Sequence, residues 1–252
     1  MATGLTQNGH KYVFEDWTGA TNIGTSATTA GVTWMNSSDT GNTAFVITDA
    51  ATGPVARAAT DTTDDDMCEI AHRSLAWSVQ NGQLMMETRC RVTTGGVGDI
   101  AFTIGFNDDQ LEDSNTLPAE LATATWTSNA TTFIGVVYDI DATNDDFHAF
   151  WVDDDADAAT ALANLRFDGL APVADEWFGV RIVLTDAGSG NQAIAEITVS
   201  EESTGKHATK RFTATVDRDA LLVPHIAFEN RAAAAHTFEI DYIEARQSRA
   251  TT

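Results

Sequence analysis

The sequence is poor in basic residues and has no long apolar segment. Its 252 residues include 14 lysines and arginines against 37 aspartates and glutamates, which gives a formal net charge of −23. Nucleic-acid binding needs a basic surface that neutralises phosphates, and docking on an anionic membrane needs basic segments. No apolar run approaches the ~20 residues of a membrane-spanning helix. These absences argue against nucleic acid and against a membrane as partners.

Cysteine and histidine are also sparse. The two cysteines, Cys68 and Cys90, lie in strand-like runs and match neither a metal-binding spacing nor a disulfide-dense framework. We expect two buried free thiols, with a Cys68–Cys90 bridge between neighbouring strands as the alternative. The six histidines are scattered without a pair at metal-ligand spacing, and no nucleophile elbow, phosphate-binding loop or dinucleotide fingerprint is present. The sequence therefore predicts no organic cofactor.

Acidic residues are in excess, and most of them are aspartate. Carboxylates hold water and cations, and concentrated salt screens the mutual repulsion that a charge of −23 creates. This composition is typical of an organism or virus living in high salt, and an ordinary acidic extracellular or virion protein is the alternative. Hydrophobic residues make up 43% of the chain, which is enough for a sizeable core.

Apolar and polar residues alternate along most of the chain. In residues 100–106 the apolar set is Ile100, Phe102, Ile104 and Phe106, and residues 180–185 and 193–199 follow the same period of two. Such alternation indicates strands with one face on a core. About a dozen of these runs, separated by turn-forming clusters, predict an all-β antiparallel two-sheet jelly-roll sandwich.

Helical signals are weak, and nothing divides the chain. Residues 114–124 contain a cap-like threonine followed by proline and glutamate, which predicts one or two helical turns. The alanine-rich residues 155–165 fit either a short helix or a loop. We expect the first strand, 12–17, to lie beside the last, 237–246. The predicted organisation is an N-terminal arm (1–11), a single jelly-roll domain (12–246) and a C-terminal tail (247–252).

Four segments together carry a family resemblance. They are residues 82–92, 127–152, 169–184 and 223–246, and their order and spacing are similar to those of the concanavalin-like (laminin-G-like) jelly-roll structural proteins of tailed viruses. The residues that match the family's pattern are Glu87 and Arg89, Gly135 and Asp139, Pro172 to Asp175, and Asp241 to Ile243.

The resemblance implies a virion protein without enzymatic activity. The function that it favours is a capsid decoration or cement protein on the outer capsid surface. Such a protein would bind the major capsid protein, as a homo-oligomer with a trimer as the natural guess. The arm 1–11 and a hairpin at 200–210 are the expected contact regions. A glycan-binding, lectin-like module of a head fibre or tail is the alternative.

One acidic motif resembles a catalytic strand. Glu239, Asp241 and Glu244 are spaced as in the active-site strand of laminarinase-type endoglucanases, which share the jelly-roll fold. Retaining hydrolysis needs two carboxylates roughly 5–5.5 Å apart, so Glu239 would be the nucleophile and Glu244 the acid/base, with Asp241 positioning them. No tryptophan lies near this motif in the sequence to stack against a sugar. Alternation in an acidic chain also produces this pattern, and we favour a solvated strand face.

A second acidic cluster has the composition of a calcium site. Asp139, Asp141, Asp145 and Asp146 lie within eight residues, and hard oxygen ligands from one loop suit Ca²⁺. The cluster lacks the glycine and glutamate positions of an EF-hand. Solvated acidic turns are the alternative to a structural calcium ion.

Overall fold

The structure is a computed structural model that describes residues 11–18, 23–25, 31–51, 53–112, 116–154, 156–157 and 165–248. The described residues form eighteen strands and one turn of 3-10 helix, Val79–Asn81. The strands are β1 (Lys11–Glu15), β2 (Ile23–Gly24), β3 (Trp34–Ser38), β4 (Thr43–Ala50), β5 (Gly53–Ala59), β6 (Met67–His72), β7 (Leu84–Val92), β8 (Ile100–Asn107), β9 (Ala119–Ala122), β10 (Thr125–Ser128), β11 (Thr132–Asp139), β12 (His148–Asp153), β13 (Ala156–Asp157), β14 (Phe178–Asp186), β15 (Gln192–Glu201), β16 (His207–Thr215), β17 (Val223–Asn230) and β18 (Thr237–Gln247).

The strands form two sheets of eight and one small hairpin. Sheet A has the order β16–β15–β14–β7–β18–β5–β4, and β1 also pairs with β18. Sheet B has the order β13–β12–β11–β8–β17–β6–β3–β2. The two sheets pack face to face, so the predicted all-β two-sheet sandwich is confirmed. β1 runs antiparallel to β18, with Lys11 opposite Gln247 and Glu15 opposite Ile243, as expected for the first and last strands.

Aromatic side chains from both sheets form the centre of the core. Phe102 on sheet B stacks on Phe178 of sheet A with ring centroids 5.4 Å apart, and its centroid lies the same distance from that of Phe238. Tyr138 and Phe147 complete this cluster beside Phe102. Burial of several large rings contributes strongly to stability, since each removes a large apolar area from water.

The outer face of sheet B is covered by a segment that contains the hairpin β9–β10. Trp126 of β10 stacks on Phe150 of β12 with centroids 3.7 Å apart, and Leu117 packs against Met67 and Ala227. Consequently β8, β11 and β17 are buried at all eight of their positions. None of the described residues forms such a cover over β7, β14 and β15 of sheet A, and these strands keep the alternation of buried and solvent-facing residues.

Some local expectations were wrong. Residues 119–122 form strand β9 rather than part of a helix, because Leu117, Ala119 and Leu121 alternate into sheet B; residues 113–115 lie outside the described part. The alanine-rich stretch, expected to be a short helix or a loop, is described only at 156–157, which form β13, and at Leu165, which is helical; residues 155 and 158–164 lie outside the described part. The strand count also exceeds a dozen, because β2, β9, β10 and β13 are too short to show a period.

The two cysteines do not form a disulfide. Cys68 and Cys90 are both buried and free, on opposite sheets, so the alternative of a disulfide is not realised.

Residues 1–10 of the predicted arm and 249–252 of the tail lie outside the described residues. β15 and β16 form the predicted hairpin around residues 200–210. Within the described part, no helix has the length and hydrophobicity required to cross a bilayer.

Candidate functional site

The open surface of the sandwich is the outer face of sheet A. The alternation of β7 turns Leu84, Met86 and Cys90 into the core, and the intervening residues to the outside. Strands β14, β15, β16 and β18 follow the same rule. Because the strands are in register, outward side chains form rows across the sheet. One such row contains Arg246, Met85, Val183, Glu196 and Arg211.

A depression of about 420 Å³ lies over that row. Its lining combines an apolar centre with polar groups and three arginines. The lining residues are Gln83, Met85, Arg181, Val183, Thr185, Ile194, Glu196, Arg211 and Arg246.

A second depression, of about 240 Å³, adjoins the first. Arg181 lines both, so the two form one continuous surface, which we call the sheet A groove. The second depression is lined by Glu87, Thr88, Arg89, Gly179, Val180, Arg181, Thr198, Ser200, Glu202 and Tyr242.

Ion pairs fix the side chains beside the second depression. Arg89 Nε and Nη2 donate to the two oxygens of Glu202 at 2.6 and 2.7 Å, and its Nη1 donates to Asp241 at 2.9 Å. These hydrogen bonds lower the pKa of Glu202. The guanidinium of Arg89 also lies 4.4 Å from the ring centre of Trp177. A planar two-point pair stacked on an aromatic ring holds this wall of the groove in one conformation.

Aromatic residues lie at the β18 side of the groove. The Tyr242 hydroxyl donates to Glu87 at 2.9 Å, and the Tyr242 ring lies 6.1 Å from that of Phe14. Burial and the hydrogen bond to Glu87 raise the pKa of Tyr242. Phe14 is 38% exposed, an unusual exposure for a phenylalanine. An exposed ring beside a fixed hydroxyl is a surface on which a sugar ring can stack.

The charge of this face differs from that of the whole molecule. Six of the eleven arginines of the chain lie on the outer face of sheet A, and six carboxylates lie on the same face. The face is therefore neutral on balance, although the chain carries −23. The arginines are Arg57, Arg89, Arg91, Arg181, Arg211 and Arg246, and the carboxylates are Glu87, Glu196, Glu202, Glu239, Asp241 and Glu244.

The residues of the predicted catalytic motif all lie on this face, but ion pairs engage two of them closely. Glu239 is buried, and Arg57 Nε and Arg91 Nε each donate to it at 2.7 Å. Asp241 lies at a β-bulge and binds Arg89, and Glu244 is half-buried, 4.0 Å from Arg246. Glu239 therefore has no open side from which it could attack a substrate.

The residues of the predicted calcium site lie at the end of sheet B. Asp139 is buried and receives hydrogen bonds from Arg231 Nη2 at 2.7 Å and from the backbone of Leu121 at 3.0 Å. Asp146 lies 3.4 Å from Arg166, and Asp141 and Asp145 are exposed. Among the residues that the structure describes, no three histidine, cysteine, aspartate or glutamate side chains are arranged to hold a metal ion. The calcium site stays a prediction.

The sheet A groove itself was not predicted from the sequence. Arg181, Arg211 and Arg246 are separated by about thirty residues each, and only strand register brings them to one surface. The available signal was the presence of arginine at outward positions of several alternating strands, in a chain that has few arginines.

Comparison with known proteins places the fold. No protein-family model and no curated protein matches the sequence. Among solved structures, peanut lectin matches with a TM-score of 0.55 and 12% identity, over 96% of this chain and 99% of the lectin. The chain has a concanavalin-like lectin fold.

Two further structures support this assignment. Lectin II from Ulex europaeus matches with a TM-score of 0.51 and 14% identity, over 94% of this chain and 98% of that lectin. A protein of unknown function from Shewanella oneidensis matches with a TM-score of 0.54 and 12% identity, over 100% of this chain and 91% of that protein. At such identities the likeness establishes the fold alone.

Proposed function

We propose that this chain is a non-enzymatic carbohydrate-binding protein and that the sheet A groove is its binding site. The observation that carries the proposal is the continuous groove on the one open sheet face of the described structure. It combines a fixed tyrosine hydroxyl with arginines and carboxylates, and the exposed ring of Phe14 lies beside that tyrosine. Aromatic faces and planar polar groups are the elements that bind sugar rings and hydroxyls. The lectin fold supports the proposal as an analogy.

Rigidity of the groove also supports a binding function. Glu202, Arg89 and Trp177 form a stacked ion pair, so these groups beside the second depression do not have to be ordered when a ligand arrives. Groups held in place before binding avoid the entropic cost of immobilising flexible side chains.

The experiment is a glycan microarray with a blocked variant. Val183 is half-buried at the centre of the larger depression, so Val183→Trp places a large ring into the ligand volume without entering the core. The matched control is Val46→Trp, on the exposed edge strand β4 of the same sheet, where Val46 is 47% exposed.

The expected result is binding of a defined glycan class by the wild type and by V46W, with at least about tenfold weaker binding by V183W. Circular dichroism and thermal melting establish that both variants fold. Equal binding by V183W and V46W would place the glycan site elsewhere, and absence of binding across the array would remove the function.

We propose binding without hydrolysis, because Glu239 lies between two guanidinium groups. No release of reducing ends is expected when the protein is incubated with β-glucans. Sustained release that is lost in Glu244→Gln would instead support the endoglucanase interpretation.

The virion role is carried by the sequence resemblance alone. The capsid-decoration function, the major capsid protein as partner, the trimer and the outer-capsid location remain predictions, tested by mixing purified protein with expanded capsids that lack it. A groove that binds glycans suits the lectin-like head-fibre or tail alternative better than capsid decoration.

A further inference from the structure

We infer that the sheet A groove selects linear acidic polysaccharides, whose carboxylate or sulfate groups bind Arg181, Arg211 and Arg246. This inference rests on the proposed carbohydrate-binding function and names its substrate class. It follows from how these three arginines differ from the others on the same face.

The three arginines lack close carboxylate partners. Arg181 lies 3.7 Å from Glu87 and Arg246 lies 4.0 Å from Glu244, both beyond hydrogen-bond distance. Arg211 forms no ion pair with any residue that the structure describes.

The remaining arginines of this face show the contrast. Arg57, Arg89 and Arg91 all make hydrogen-bonded ion pairs, with N–O distances between 2.6 and 2.9 Å for Arg89. In a chain with 37 acidic and 14 basic residues, a carboxylate partner is abundant for any arginine. Three loosely paired guanidinium groups around one depression are therefore available for a ligand anion.

The spacing of the three arginines suits a repeating charge. Arg246 lies on β18, Arg181 on β14 and Arg211 on β16, and one strand separates each from the next in the sheet order. Two strand spacings amount to about 10 Å, and Arg181 is displaced by two residues, about 7 Å, along its strand from the row of Arg211 and Arg246, so neighbouring arginines are about 12 Å apart. That interval is close to the length of a disaccharide unit in an extended polysaccharide. A chain that crosses the strands would thus present one anionic group to each guanidinium.

Salt screens the repulsion between a bound anion and the distant carboxylates of this acidic molecule, so the charges near the depression have the larger effect. At 0.15 M ionic strength the Debye length is about 8 Å, so an anion in the depression interacts mainly with the three arginines and with the nearby carboxylates Glu196, Glu87 and Glu244. Glu196 lies opposite Arg211 in the register and is the one carboxylate of this lining. Removal of the negative charge of Glu196 should therefore strengthen anion binding.

The test measures affinity for matched charged and neutral polymers. Titration calorimetry with polygalacturonate and its methyl ester, and with dextran sulfate and dextran, separates carboxylate from sulfate recognition and both from neutral recognition. The variants are Arg211→Gln, Arg246→Gln, Glu196→Gln and, as the control, Arg166→Gln, because Arg166 lies on the far side of the molecule near sheet B.

The expected result is binding of at least one charged polymer at least tenfold more tightly than its neutral counterpart, with affinity rising with oligosaccharide length. Each of R211Q and R246Q should weaken binding by about tenfold, the loss of one charge-assisted contact. E196Q should bind more tightly, and R166Q should be unchanged.

Two results would overturn the inference in distinguishable ways. Equal affinity for charged and neutral polymers, unaffected by R211Q and R246Q, would refute charge selection and leave the carbohydrate function intact. No binding of any polymer, together with an oligomer in light scattering that R211Q dissociates, would show that the groove binds the acidic surface of a second copy, and would refute both proposals.

Discussion

At the scale of single residues, the Glu239 carboxylate has the clearest structural role. It is 1% exposed and bound by Arg57 and Arg91, whose side chains are 36% and 18% exposed. Removing its charge leaves two guanidinium groups facing each other on β5 and β7. The regular spacing of acidic residues on β18 was visible in the sequence. The pairing of Glu239 with Arg57 and Arg91 was not, because it depends on which strands become neighbours.

We expect Glu239→Gln to lower the free energy of unfolding by about 2 kcal/mol, since one partner of a buried ion pair is lost while the arginines stay partly hydrated. Urea denaturation measures the change. The control Glu244→Gln, on the same strand beside a distant arginine, should change stability by less than about 0.5 kcal/mol. A fully stable E239Q that had lost hydrolytic activity toward a glucan would instead identify a catalytic group.

Glu112 predicts a pH dependence of stability. Burial raises its pKa to about 7, and its contacts are a hydrogen bond from Asn107 and a backbone hydrogen bond to Glu69, which pairs with His225 at 2.9 Å. In the unfolded chain a glutamate titrates near pH 4.3. The protonated form is therefore favoured by folding, so its contribution is complete below about pH 4 and is lost as pH rises through 7.

We expect wild-type stability to fall relative to Glu112→Gln by about 2–3 kcal/mol between pH 4.5 and pH 8. The difference between the two proteins isolates Glu112 from the other titrating groups, which both retain. Urea denaturation at a series of pH values measures it, with the exposed Glu176→Gln as the control. Parallel pH profiles for wild type and E112Q would show that Glu112 is ionised in the folded protein.

At the scale of elements, two glycines allow the central strands of sheet B to approach. Gly105 on β8 lies opposite Gly135 on β11. A Cβ atom on Gly135 would lie 2.2 Å from the Ile104 carbonyl oxygen and 2.7 Å from the Gly105 Cα, and these backbone atoms cannot rotate away. Gly179 differs, because its Cβ would come close to the Ser200 hydroxyl at 2.8 Å, which can rotate, and the Thr88 carbonyl oxygen lies at an ordinary contact distance of 3.9 Å.

We expect Gly135→Ala to lower the free energy of unfolding by about 3 kcal/mol or more, because the two strands must separate. Gly179→Ala, also inside a strand, should change it by less than about 1 kcal/mol. Thermal melting distinguishes the two. Similar melting temperatures for both variants would show that β8 and β11 have room for a methyl group.

The strands differ in how well they could be predicted from the sequence. Strands that face solvent on one side, such as β7, β14 and β15, could be predicted because their alternation is a local property. The strand β9 was expected to be helical, because its capping signals are local and its burial against sheet B is not. The sheet A groove depends on the register of five strands from distant parts of the sequence, and no local pattern encodes that register.

At the scale of the whole molecule, the net charge of −23 predicts a response to salt. The neutral outer face of sheet A leaves the excess of carboxylates on the rest of the structure, where they repel one another. Salt screens this repulsion in the compact folded state more than in the expanded chain.

We expect the melting temperature to rise between 0.05 and 1 M KCl, with most of the rise below about 0.5 M, where the Debye length shortens most. Differential scanning calorimetry measures it, with sucrose as an uncharged control cosolute. An unchanged melting temperature across this range would argue against adaptation to high salt.

The most direct measurement of carbohydrate binding at sheet A is an NMR titration of the arginine Nε–H resonances with an acidic oligosaccharide. The Nε–H signals of Arg181, Arg211 and Arg246 should shift progressively with ligand, while those of Arg57, Arg166 and Arg231, which are held in ion pairs, should stay in place. Shifts confined to Arg166 and Arg231 would place the ligand at sheet B and would contradict the assignment of the groove as the binding site.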